Sequence, residues 1–323
     1  MNISIIGSGK IVAEVLPVIR ATAGIDIRSL WAREHSLERA RTLANTFAIP
    51  CVTTDYNIIL ADPTIDAVYI ALINSVHFTY ALRALQAGKH VILEKPACLH
   101  AHELQQLADE ARARDLMLFE AVTLLHLPAF RILKESLLPQ IGAIHHIECN
   151  YSQRSSRFDS YLRGEVLPAF DPEAGGGALM DINVYNLHFA IALLGAPEAA
   201  HYECRQGFNG VDLSGTALLR YPDALVLCTG AKDIDAPSFG LIQGEKGWIR
   251  IDGPVSTMAT LTLGLRGQHP QTVPLQPVTH RMAPEFAHFI DIFHHDDTST
   301  ASRLLDHSLI VSHTLDSLLT AHP

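Results

Sequence analysis

The chain has 323 residues, 34 acidic side chains against 24 basic ones, and a formal charge of −10. With 48% apolar and 18% charged residues, it is too apolar for a disordered chain and long enough for two domains. The acidic balance excludes a nucleic-acid binder built on clustered Lys and Arg, and no 18-residue apolar run offers a membrane span.

The first 120 residues alternate short apolar runs with helix-like stretches. Asn2–Ile6, Ile25–Trp31, Ala67–Leu72 and His90–Glu94 are rich in Ile and Val. Runs of this length suit strands buried on both faces of a parallel sheet. Between them, Leu104, Leu107, Ala108 and Ala111 of Glu103–Arg114 fall on one helical face. The alternation predicts a doubly wound α/β unit over 1–122. Beyond it, Ala143–Gln153, His201–Phe208, Gly215–Arg220, Ala224–Lys232, Phe239–Gln243, Trp248–Asp252 and Thr257–Leu265 read as close-set strands punctuated by turns. They predict a large, mainly antiparallel, open-faced sheet in an α/β domain over 123–323, closed by helices near 281–294 and 302–319.

The N-terminus breaks at Gly7 without the basic start and longer apolar region of a secretory signal, so a cytoplasmic location is expected. The five cysteines form no CxxC, which points to reduced thiols and not to disulfides or a zinc cage. The 18 histidines tempt towards metal. The densest pairs, His145-His146 and His294-His295, lack metal-ligand spacing, and none is expected.

Four constellations carry chemistry. Gly7-Ser8-Gly9-Lys10-Ile11-Val12 follows the first strand and opens a helix, as in dinucleotide folds, where a pyrophosphate sits on the helix N-terminus. The usual third glycine is Val12. At the end of strand 2, Trp31-Ala32-Arg33 offers no acid for a ribose 2′-OH. The cation Arg33 suits the 2′-phosphate of NADP, although a solvated surface Arg is the plain alternative. Glu94-Lys95-Pro96 ends a strand of the parallel sheet, where ligands bind. His77, after Asn74-Ser75, lies at another strand end. Last, Gly175-Gly176-Gly177 precedes an apolar helix on which Asp181, Tyr185 and His188 share one stripe. The stripe reads either as a hydrogen-bonded core network or as the wall of a substrate cleft.

Taken together, these residues resemble the Gfo/Idh/MocA oxidoreductases. The resemblance rests on Gly7-Ser8-Gly9, Asn74-Ser75-Val76-His77, Ala87-Gly88-Lys89-His90, Glu94-Lys95-Pro96, and Gly176-Gly177-Ala178-Leu179-Met180-Asp181 with Tyr185. It covers residues 1 to about 250 and is nearest in motif to the dihydrodiol and xylose dehydrogenase-like branch. It implies a Rossmann domain followed by an α/β domain whose sheet makes a homodimer or dimer of dimers. It also implies catalytic weight on Lys95 and Tyr185, with Asp181 one turn before. Val12 and Asn183, the latter where a Gly is common, depart from the pattern.

The expected reaction is hydride transfer between NADP(H), with NAD(H) the second choice, and a hydroxyl-bearing carbon of a sugar or polyol. Tyr185 would handle the hydroxyl proton, made a stronger acid by Lys95. Asp181 would orient Lys95 or the substrate. Cofactor contacts are expected from Gly7, Ser8, Gly9, Lys10, Ile11, Arg33, Leu72, Asn74, His77, Glu94 and Lys95. Substrate contacts are expected from Arg154, Ser156, Asp181, Tyr185 and His188. The alternatives are a non-catalytic dinucleotide sensor on the same scaffold, or NAD-assisted glycoside cleavage.

Overall fold

A computed structural model of the chain describes residues 1–320. In chain order the main elements begin with β1 (Asn2–Ile6), α1 (Lys10–Ala21), β2 (Asp26–Trp31), α2 (Leu37–Thr46), β3 (Cys51–Thr53), α3 (Tyr56–Ala61), β4 (Ala67–Ile70), α4 (His77–Gln86), β5 (His90–Glu94), α5 (Ala101–Ala113) and β6 (Leu118–Ala121). They continue with α6 (Pro128–Ile132), α7 (Leu138–Ile141), β7 (Ile144–Ser152), α8 (Phe158–Leu162), α9 (Val184–Leu194), β8 (Ala199–Gln206), β9 (Asp212–Arg220), β10 (Leu225–Ala231), β11 (Phe239–Gly244), β12 (Gly247–Asp252), β13 (Thr260–Leu265), β14 (Gln271–Val273), α10 (Ala283–His294) and α11 (Thr298–Thr320).

Two compact units result. Among the described residues, the first is Met1–Ala121 together with Val278–Leu309; the second is Val122–Pro277 with the rest of α11 from Ile310. The chain thus returns to its first unit, a feature that two contiguous segments, 1–122 and 123–323, do not describe. The reason is α10. Its Phe286, Phe289 and Ile290 complete the core formed by Ile3, Ile5, Tyr69, Ile92 and Phe119, with Phe119 and Phe289 stacked at 4.7 Å.

The first unit is a parallel sheet in the order β3-β2-β1-β4-β5-β6. Alternate side chains of each inner strand serve two different cores. Ile5, Tyr69 and Ile92 enter the one just described, whereas Ile6, Val68, Ile70, Val91 and Leu93 enter another beneath α4 and α5. Burial on both faces explains why these strands read as unbroken apolar runs. The short outer strand β3 carries no such run; β6 begins within one, Leu116–Phe119, and sends Leu118 to one core and Phe119 to the other, but neither strand is among those expected from sequence.

The second unit is an eight-stranded sheet in the order β14-β13-β12-β11-β7-β10-β9-β8. It is antiparallel except where β7 and β10 pair in parallel, because β10 returns from the β8–β9 hairpin side and not directly from β7. One face packs on α9. The stretch Pro172–Leu194 is long and apolar enough to pass for a membrane span, yet 67% of its most apolar window is buried inside the protein. It is a core element.

Two acids lie deep in the first unit. Glu94, buried at the end of β5, accepts a hydrogen bond from Tyr69 at 2.5 Å, and burial raises its pKa. Glu285 on α10 is fully buried, and neither carboxyl oxygen has a hydrogen-bond partner among the described residues. Burial, and then the charge of Glu94, pushes its pKa well above the usual carboxylate value; Arg281 opposes them. A carboxyl with a raised folded pKa costs stability as pH climbs from the unfolded value towards the folded one. Glu285→Gln is therefore expected to raise the melting temperature by roughly 2–4 °C near neutral pH. The gain should vanish below the ordinary Glu value of 4.5, where both states are protonated. Thermal unfolding at the two pH values checks this, and equal gains at both would contradict it.

Candidate functional site

Every parallel strand of the first unit points its carboxyl end to the same sheet edge, so the loops after β1, β2, β4 and β5 gather there. In the first of these loops Gly7 adopts φ +130°, and a Cβ on it would stand 2.4 Å from the carbonyl oxygen of Ala71. Only glycine permits that approach between the β1 and β4 loops. At Gly9 an added Cβ would meet nothing within 4 Å, so the space above it is open. Gly9 is also the N-cap of α1, no side chain caps the helix, and its first turn holds no acid. Backbone N–H groups there are disposed to receive an anion. The residues fit a dinucleotide pyrophosphate. Val12, in the place of the third glycine, is fully buried with Val15 and Leu16 in the core, so that position serves helix–sheet packing.

Ser8 is buried, Ile11 half-buried and Lys10 exposed. Arg33 is exposed and opens the short turn Glu34–Ser36. Leu72 is half-buried and lines the Gly7 turn, where a Cβ on that glycine would stand 3.5 Å from the Leu72 Cδ2. Asn74 begins a half-buried turn after β4. Lys95 is half-buried, and the Lys95–Pro96 peptide is cis.

Two expected cofactor contacts are positioned otherwise. His77 is fully buried, with Nδ1 3.1 Å from the Pro96 carbonyl and Nε2 3.2 Å from that of Leu72. It is a strut between the β4 and β5 loops, and burial lowers its pKa. Glu94 points inward to Tyr69. Sequence pattern puts both at strand ends, but which way the side chain turns depends on the core behind them. Glu120 completes the support, accepting from the Ala97 amide at 2.9 Å.

In the second unit Leu179–Asn183 forms a π turn that runs into α9. Asp181 and Tyr185 are both half-buried, and the Tyr185 ring lies 6.1 Å from that of Tyr151. His188, one turn past Tyr185 on α9, does not share their exposure; it is fully buried. Asn183 also faces inward, donating to the Cys228 carbonyl at 2.8 Å. Arg154 is tied to Asp159 at 2.7 Å and lies over the Phe158 ring, while Ser156 is exposed.

Two charged residues here escape a reading of the sequence. Lys232, directly after β10, pairs with Asp181 at 2.7 Å. Asp212 on β9 accepts from Tyr202 at 2.6 Å and from the Leu179 amide at 2.7 Å. Burial raises its pKa, although these hydrogen bonds and Lys232 oppose the rise. The usable signal is a Lys closing an apolar strand, the same signal that singles out Lys95. This packing explains the last glycine of the triplet, since a Cβ on Gly177 would collide with an Asp212 oxygen at 1.8 Å, while one on Gly176 would meet the Pro168 carbonyl oxygen at 2.6 Å. Among the described residues no group of three or more His, Cys, Asp or Glu could hold a metal ion.

The chain belongs to the Gfo/Idh/MocA oxidoreductases: the oxidoreductase-family model with an NAD-binding Rossmann fold matches residues 1–122, and the family's C-terminal domain matches residues 139–250. It is 33% identical to the scyllo-inositol 2-dehydrogenase (NADP(+)) IolU of Bacillus subtilis over 78% of this chain and 76% of that protein. It is 32% identical to the uncharacterized oxidoreductase YgjR of Escherichia coli, with the same coverage. The 3-ketoreductase KijD10 of Actinomadura kijaniata, solved with NADP, shares the fold with a TM-score of 0.82 at 23% identity, over 99% of this chain and 97% of that one. The protein is an enzyme of the NAD(P)-dependent oxidoreductase class.

The two glycines of the turn are expected to separate cleanly. Gly7→Ala meets backbone and a left-handed φ, and should cost roughly 1–3 kcal/mol of stability. Gly9→Ala, in open space with an extended backbone, should leave the melting temperature unchanged. Differential scanning calorimetry of both variants decides, and equal destabilisation would contradict the assignment.

Proposed function

We propose that the enzyme transfers a hydride between NADP(H) and a hydroxyl-bearing carbon of a sugar or polyol. The observation that carries this reading is the uncapped start of α1 above the open Gly9, on a sheet edge that also holds Lys95. Bound there, the nicotinamide would supply the hydride chemistry. Gly7 to Ile11 would hold the pyrophosphate, Leu72 and Asn74 the middle of the cofactor, and Arg33 the 2′-phosphate. Preference for NADP is supported by Arg33 directly after Ala32, which stands where an acid would receive a ribose hydroxyl, and by the NADP(+) in the name of the Bacillus subtilis relative.

The chain's own residues manage the proton. Tyr185 exchanges it with the substrate hydroxyl, Lys95 favours the tyrosinate, and Asp181 accepts a hydrogen bond from the substrate. Arg154 and Ser156 serve the far end of the substrate, with Arg154 acting from within its pair with Asp159. His77 and Glu94 support the loops from behind. Residues 1–122 form the dinucleotide domain, and residues 123–323 the substrate and dimerisation domain, apart from the returning α10 segment. The polyol is supported by relatives named for inositol and for a dideoxy-sugar reductase. A dimer through the open sheet face is supported by Leu218 and Leu225, both exposed, beside the half-buried Leu227 and Leu241. A cytoplasmic location fits five free cysteines.

Incubation with NADP+ or NAD+ and a panel of inositols, pentoses and hexoses, followed by absorbance of the reduced cofactor, tests the reaction. Lys95→Met should lower kcat by roughly 10²–10⁴-fold with NADP+ affinity retained. Normal turnover in that variant would sink the mechanism. Arg33→Ala should weaken NADP+ binding by roughly tenfold and leave NAD+ nearly unchanged. Equal losses for the two cofactors would remove Arg33 from the phosphate site.

A further inference from the structure

We propose that Lys232 is a positioning residue for the reaction, holding the Asp181 carboxylate fixed as the acceptor of a substrate hydroxyl. The proposal rests on the dehydrogenase reading above, and it adds a residue that neither the family motifs nor the sequence pattern identified.

The side chain of Lys232 is 2% exposed, whereas that of Asp181 is 40% exposed. The cation therefore lies inside and the carboxylate faces outward. Lys232 Nζ reaches Asp181 Oδ2 at 2.7 Å, donates to the Ala169 carbonyl, and sits 4.7 Å from the centroid of the Phe170 ring. Its backbone is held as well: the amide donates to the Leu213 carbonyl, and its own carbonyl accepts from the Ser155 amide, both at 2.8 Å. Lys is ordinarily a mobile side chain, but this one is anchored at both ends.

Three elements present charge or titratable groups to the pair. The π turn brings Asp181, with Tyr185 one turn on. β9 brings Asp212, whose charge interacts with Lys232. β8 brings Tyr202, bonded to Asp212. Arg205 and Asp233 are already paired with each other. One lysine thus serves two acids, Asp212 held by hydrogen bonds on β9 and the outward Asp181. Asp212 also holds the Leu179 amide, which starts the turn that carries Asp181. The backbone and the charge of Asp181 are therefore set from the same place.

Stability alone is a poor reason for this arrangement. A buried ion pair does little more than offset its desolvation, and apolar residues of similar volume serve a core as well or better. What the pair does supply is an outward carboxylate with a fixed orientation. A carboxylate so fixed accepts a hydrogen bond without further loss of side-chain entropy, which is what a site for a hydroxyl-rich substrate needs.

The test is a double-mutant cycle in the full chain with Lys232→Gln and Asp181→Asn, assayed with NADP+ and the best substrate among scyllo-inositol, D-xylose and D-glucose. Lys232→Gln should lower kcat/KM by roughly tenfold or more, with NADP+ affinity within about twofold, and Lys232→Arg should restore part of the loss. In the Asp181→Asn background, Lys232→Gln should cost less than about twofold. Losses that multiply in full would overturn the proposal. Should Lys232→Gln not fold, Lys232→Arg takes its place in the cycle, with the same non-additivity expected. Wild-type protein inactive on every substrate and both cofactors would defeat the dehydrogenase reading instead. In that event the carboxyl-carbon NMR titration of Asp181, assigned by its loss in Asp181→Asn, still decides on Lys232. Its midpoint should move up in Lys232→Gln, and an unmoved midpoint overturns the proposal.

Discussion

In each unit a close approach that only a missing side chain allows sets the arrangement around the site. Gly7 lies against the carbonyl of Ala71, which draws the β1 loop onto the β4 loop and leaves the start of α1 facing open space. Gly177 lies against Asp212, which lets that acid reach the Leu179 amide and so sets where the π turn begins. In both places a neighbouring atom occupies volume that any Cβ would claim. At Gly7 the obstruction is backbone; at Gly177 it is an Asp212 carboxylate that hydrogen bonds hold in place.

Charge follows from that packing. Behind Lys95 the first unit buries two acids, Glu94 and Glu285, and burial raises the pKa of each. The second unit buries a cation, Lys232, against an outward acid and an inward one. Such groups cost free energy in a core unless they are paired or change protonation. Glu94 offsets the cost by accepting from Tyr69, and Lys232 by its ion pair. Glu285 finds no hydrogen-bond donor among the described residues and is the least settled group in the core. The overall charge of −10 has little to do with any of this, because an anionic cofactor would be met locally by a helix N-terminus and Arg33.

Much of the fold was legible because each inner strand of the parallel sheet buries both faces, which leaves a continuous apolar run in the sequence. The edge strand β3 buries little, and it left no such mark. The glycine turn was legible because its spacing is local: strand, two glycines and helix lie within about ten residues of one another. The Asp181–Tyr185 spacing was legible for the same reason. The orientation of His77 and Glu94 was not, since each is turned inward by partners that lie 25 or fewer residues away in sequence but on different strands and loops. His188 lies one turn past Tyr185 on the same helix but is fully buried, and how deep each turn of a helix sits depends on the packing around it and not on spacing.

Local periodicity and turn chemistry, then, were enough to establish from sequence alone a dinucleotide-type first unit, a β-rich second unit, and the strand-end and helix positions of Lys95, Asp181 and Tyr185. Tertiary structure alone decided that α10 returns to the first core, that His77 is a strut, and that Lys232 stands behind Asp181. The ion pair joins residues far apart in the chain, on a π turn and after a strand, and no local pattern encodes which distant side chain will fill a given buried space. Burial sets the energy of such contacts, and burial is a property of the folded chain.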